Sequence, residues 1–173
     1  MDFYKTVFEL IDLRSFSNLW FWIALAVMWS SASHWVLGVP FDMVTRARKN
    51  DEQGAADLEA MVGVNVRRLL YIANVSGLWL IGLTCFVLTA LVLLGFVYEV
   101  EFAQAVFLLA APMTLVGVLS LRAAVKISVL DLTGKDLHRK LTRHRMTIQG
   151  IGMVSIFVTA LWGMWQNLQL SVY

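Results

Sequence analysis

Apolar residues fill four stretches of this chain, and every charge lies between them or before the first. Residues 15–41, 69–98, 102–121 and 146–173, of 27, 30, 20 and 28 residues, contain no Asp, Glu, Lys or Arg. A helix needs about 20 predominantly apolar residues to cross a hydrocarbon core. The pattern therefore predicts crossings over residues 17–38, 69–97, 102–121 and 147–168. The expected fold is all-α: a polytopic, antiparallel four-transmembrane-helix bundle, with residues 1–173 forming a single membrane domain.

Helical periodicity runs on beyond these stretches. Residues 2–14 alternate polar and apolar positions with a period near 3.6, which predicts a short amphipathic helix lying in the interface, with Ser15 or Ser17 capping the first crossing. Pro40 marks the end of helix one, or a bend in it, near Gly38. Leu58, Met61, Val62, Val66 and Leu69 keep the spacing upstream of the second stretch, so that helix should start near Ala55 and project from the membrane. Val118, Leu121, Val125, Val129 and Leu132 extend the third helix in the same way. Thr133 reads as the cap of the fourth, whose inward stripe is Leu137, Leu141, His144 and Ile148. The segments 41–68 and 122–146 are then helical extensions into the cytoplasm. Val97–Glu101 is so short a link that helices two and three must be antiparallel neighbours.

Charge gives the chain a direction. Twelve of the 14 basic residues fall in the two segments that follow the first and third stretches. Lys and Arg favour the cytoplasmic side, so the formal balance is +5 inside and −3 outside, with both termini outside. In a Gram-negative cell that places a multi-pass protein in the bacterial inner (cytoplasmic) membrane with periplasmic termini. The acids Asp2, Glu9 and Asp12 and the length of the first stretch argue for a retained helix rather than a cleaved signal peptide. Charged residues make up 15% of the chain, against about 25% in soluble domains, and 173 residues are expected to hold one bundle and two modest loops without a separate soluble domain.

Burial of apolar surface does not drive helices together in lipid, and small residues that allow close approach matter more. The candidates are Ala26 and Ser30 in helix one, Ala73 and Gly77 in helix two, and Ser155, Thr159 and Gly163 in helix four, with Pro112 expected to kink helix three. The chemistry within the stretches is sparse. Cys85 is alone and reads as a small hydrophobe. His34 is the sharpest single residue, an ionisable group about one turn from the inner edge. Its plain reading is a neutral imidazole bonded to a carbonyl or to Asn74; its functional reading is a cofactor-binding, redox (quinone or haem) or transport residue beside Ser30–Ser33. A bis-histidine haem lacks its second intramembrane ligand here. No transmembrane acid, metal-ligand spacing, phosphate loop or hydrolase motif is present, so neither a cofactor nor a metal is expected, and no catalytic residue is assigned. Nucleic-acid binding has no reading motif to support it.

The basic face carries more. Lys135, Arg139 and Arg143 repeat every four residues, as do Arg122 and Lys126, with Lys140 beside them. Like charges at that spacing repel, so an external anion should compensate: anionic phospholipid headgroups of the bilayer, or an acidic protein partner, membrane or cytoplasmic. A homo-oligomer is compatible with the sequence. The opening Met1–Lys5 with Trp20–Trp22, the run Ser33–Pro40 and the Arg67–Arg68 junction resemble a family of small bacterial inner-membrane proteins labelled "component of SufBCD complex". The resemblance implies a link to iron–sulfur cluster assembly. The single cysteine restricts this chain to the part of a membrane partner. The expected function is accordingly a non-enzymatic accessory or scaffold subunit.

Overall fold

The computed structural model describes residue 16 and residues 19–49 and 52–171, with side chains described through residue 168. The interfacial helix expected over residues 2–14, and the Ser15 or Ser17 cap expected for the first crossing, lie outside these residues. The described chain is almost wholly helical: α1 Leu19–His34, α2 Phe41–Ala47, α3 Glu52–Val97, α4 Glu101–Val129 and α5 Gly134–Ser171. Two short strands, β1 Trp35–Val36 and β2 Val39–Pro40, pair antiparallel between α1 and α2.

Three helices, α3, α4 and α5, are long and apolar enough to cross a membrane. The first stretch behaves differently from its expectation. α1 has 16 residues, about 24 Å at 1.5 Å per residue, and stops at His34 rather than near Gly38. Leu37 and Gly38 both take positive φ, 53° and 74°, the conformation that a two-residue hairpin turn requires. The turn reverses the chain, and Asn65 of α3 secures it by donating Nδ2–H to the Gly38 carbonyl at 3.0 Å. α3 begins at Glu52, a turn earlier than expected, and closes in a wider π-helical turn over Leu93–Val97.

The main core lies at the basic end of the molecule, where the last residues of the first charge-free stretch meet the helical segments between the stretches. Val36, Val39 and Val44 of the hairpin and α2 pack with Leu58, Val62 and Val66 of α3, Ala124 and Ile127 of α4, and Leu137 and Leu141 of α5. The expected inward stripe of α5 is buried at all four positions. On α4 the stripe is displaced: Val118, Val125 and Val129 are exposed, whereas Ala123, Ala124 and Ile127 are buried. Alanines let α4 approach its neighbours closely. A second, smaller cluster joins Leu25 and Trp29 of α1 to Val116 of α4 and Ile148 of α5. The middle of α3 has few neighbours, with Leu78, Trp79, Ile81 and Leu83 all exposed.

Candidate functional site

The basic end is assembled from four elements. The α4–α5 turn is held to α3 where the Gly134 N–H donates to Glu59 Oε1 at 2.7 Å. The start of α5 is thereby fixed over the hairpin core, and Leu137 and Leu141 point into it. The opposite side of the same turns faces outward. Lys135, Arg139 and Arg143 lie along it, and His138 and Thr142 fill the line between. The end of α2 supplies Arg48, whose backbone N–H closes the last turn of that helix onto the Val44 carbonyl. Together they line a cleft of about 540 Å³ with Ala47 and Met146, and among the described residues no carboxylate lines it.

The six basic residues expected to form one face therefore divide. Lys135, Arg139 and Arg143 share the cleft; Arg122, Lys126 and Lys140 are not part of its lining. Lys140 lies near Lys126 and Arg143, and burial together with these two charges pulls its ammonium below the ordinary lysine range. His144 sits deeper, 7% exposed, with Nε2 3.1 Å from Ser120 Oγ. Burial first, and the Lys140 charge second, hold its imidazole below the ordinary histidine range. This Ser–His pair has the reach of a proton-transfer dyad, but no group of three His, Cys, Asp or Glu exists among the described residues to orient it or to hold a metal. Arg145 serves the fold: Nε donates to the Ser33 carbonyl at 3.2 Å and the guanidinium lies 3.9 Å from the Phe41 ring centre.

His34 is exposed at the last position of α1, its ring edge-on to Trp35 at 5.8 Å. Asn74 is exposed; the amide that reaches this corner is that of Asn65. Ala26 and Ser30 are exposed and line a shallow cleft with Trp29, Gln149 and Gly152. Ser155 and Thr159 are buried, and Thr159 Oγ1 donates back to the Ser155 carbonyl at 2.8 Å. Gly163 receives Phe16, whose nearest atom would stand 3.3 Å from an added Cβ. Ala73 is half-buried, and nothing lies within 4 Å of a Cβ placed on Gly77, so the close approach expected there is not made among the described residues. Pro112 lines an apolar groove between α4 and α5 with Leu108, Leu115 and Val154.

Three features escaped the sequence reading. Arg48 and His138 belong to the cleft: His138 is signalled by the period that also places Lys135, Arg139 and Thr142, and Arg48, on a separate element, by no spacing. Gly152 meets Trp29, with an added Cβ 2.8 Å from Cε3. At the other end of the bundle, buried Gln104 donates Nε2–H to the Gly95 carbonyl at 2.7 Å, while its Oε1 accepts from Trp162 Nε1 at 3.0 Å and Gln166 Nε2 at 2.6 Å.

These features define a helical membrane protein with a packed cationic head at one end. Comparison with known proteins adds no relative: no family model, curated protein or solved structure matches the chain.

Proposed function

We propose that this protein is a non-enzymatic accessory or scaffold subunit of the bacterial inner membrane, docking a partner protein or anionic lipid through its basic cytoplasmic face. The observation that carries this reading is the cleft, where Arg48, Lys135, Arg139 and Arg143 converge with no carboxylate among the lining residues. Four cations gathered without an internal counter-charge favour an external anion. The resemblance to the SufBCD-associated family makes a soluble iron–sulfur assembly component a natural partner to seek.

The proposed topology has four crossings with both termini outside. Its support is the position of α1. Ser33 accepts from Arg145, and Phe16 packs on Gly163. These anchor points lie 18 residues apart on α5, about 27 Å along the helix axis. Helix α1 and the turn before it therefore accompany α5 across nearly the whole thickness of a hydrocarbon core.

The test is purification from native membranes in mild detergent at low and at high salt. A partner or a lipid complement should be retained at low salt and released as salt screens the cleft. A clean monomer or homo-oligomer, free of bound lipid at every salt concentration, overturns the reading.

A further inference from the structure

We infer that the cleft between the end of α2 and the first three turns of α5 binds a phosphate group, carried by the headgroup of an anionic phospholipid. The inference rests on the docking role above and specifies its ligand.

Lys135, Arg139 and Arg143 are spaced four residues apart, where like charges destabilise an isolated helix. The structure adds Arg48 to them, and among the described residues no acid lines the cleft, Asp131 and Asp136 on either side of Lys135 included. Three of the four cations are guanidinium groups, whose planar fork of donors matches two oxygens of one phosphate. His138 contributes a ring nitrogen, Nε2, that is buried and has no partner among the described residues.

The position of the cleft selects a lipid rather than an acidic peptide. Its long axis follows α5 from Lys135 to Met146, and Met146 is the first residue of the last charge-free stretch. The cations line the cleft from the α4–α5 turn to Arg143, and Met146, one turn further on, reaches the apolar boundary. A phospholipid fits both ends, its phosphate among the guanidinium groups and its glycerol and chains leaving past Met146. Basic pockets beside transmembrane helices recognise headgroups in this manner. An acidic peptide would meet the charges and gain nothing from the apolar floor.

The experiment uses the full chain in mild detergent, titrated with short-chain phosphatidylglycerol and, separately, phosphatidylcholine, inorganic phosphate and a Glu-rich peptide. Two double variants are compared: Arg139→Gln with Arg143→Gln inside the cleft, and Arg122→Gln with Lys126→Gln outside it. All four residues are exposed, both variants lose two charges, and circular dichroism verifies that helicity is kept. Saturable binding of phosphatidylglycerol over phosphatidylcholine is expected, weakened about tenfold or more by the cleft variant and little by the control. Inorganic phosphate binding as tightly as the lipid, with the same sensitivity, would keep the phosphate site and overturn its lipid source. Cleft-dependent binding of the peptide alone overturns the phosphate inference and leaves the docking role standing. Equal losses in the two variants mean that general surface charge is responsible, and the site is refuted. If no anion binds and the purified protein is also salt-independent and alone, both readings fall.

Discussion

Glycines of identical composition have opposite roles in this chain. Gly152 lies against the Trp29 ring, where an added Cβ would stand 2.8 Å from Cε3. Trp29 is itself 5% exposed and held between α4 and α5, so it has little room to retreat. Gly152→Ala should lower stability by about 1–3 kcal/mol, the usual cost of overpacking. Gly77 has open space around it, and Gly77→Ala should be neutral or stabilising by up to about 1 kcal/mol through helix propensity. Thermal unfolding of both variants in one detergent checks the contrast; a comparable loss at Gly77 would reveal a neighbour from outside this chain. His144 makes a separate prediction. Its proton affinity is lowered in the folded protein from the ordinary value of 6.5, so the unfolded chain binds the proton more readily. The contribution is fully present above pH 6.5 and is lost as the pH falls below it toward the folded value. Melting temperature should fall with acid from that point, and His144→Gln, which keeps a donor and an acceptor for Ser120, should flatten that part of the profile. An unchanged profile in the variant would mean that other groups set the acid limit.

Among the helices, the ends carry the specific polar bonds and the middles carry little. Gln104 joins three segments by satisfying the Gly95 carbonyl, the Trp162 indole and the Gln166 amide. The Gly95 carbonyl is available because α3 widens into a π turn at Leu93–Val97, with the Tyr98 N–H bonded to the Leu93 carbonyl at 3.1 Å. Gly95 is needed there, since an added Cβ would lie 2.9 Å from the Gln104 backbone nitrogen. Gln104→Leu should therefore cost about 2 kcal/mol or more, because several polar groups are left unpaired at once. Gln104→Glu, which keeps the acceptor, should cost less if it stays protonated; chemical denaturation in mixed micelles measures both. None of this hub was legible in the sequence, where Gln104 stands as one polar residue at a helix start and the π turn as an ordinary leucine-rich run. The long helices themselves were legible, because charge exclusion and the 3.6-residue period survive any packing. Their contact faces were legible on α5 and misleading on α4. The Leu137–Leu141–His144–Ile148 stripe is buried as its pattern requires, whereas on α4 the conspicuous valines face outward and the inconspicuous alanines pack. Close helix approach is made by small residues, so a stripe of large apolar residues does not by itself mark the packed face. The Leu37–Gly38 turn was hidden for another reason: its first residue is a leucine, an uncommon choice for positive φ.

As a whole the molecule is a firm head on a looser membrane bundle. The head shares one core among the hairpin and four helices, and the crossing portion of α3 is exposed on most sides. Hydrogen exchange should accordingly find the strongest protection in the head amides of Val62, Val66 and Leu141, which are screened by side chains rather than by lipid alone. The arrangement also makes the topology testable with a single chemistry, because Cys85 is the chain's lone cysteine and Cys85→Ser gives a thiol-free background. Lys135→Cys and Lys49→Cys lie at the head and should react with a membrane-impermeant maleimide only from the cytoplasmic side. Glu99→Cys, in the short turn between α3 and α4, should react only from the opposite side. Leu19→Cys decides the number of crossings. If α1 runs beside α5 from Gly163 to Arg145, Leu19 emerges with Glu99, and the two cysteines should be labelled from the same face in intact cells. Labelling of Leu19→Cys only after the cells are opened, together with Lys135→Cys, would mean that α1 returns to the cytoplasmic side. The bundle would then have three crossings, and the cationic head would share its side of the membrane with the start of the chain.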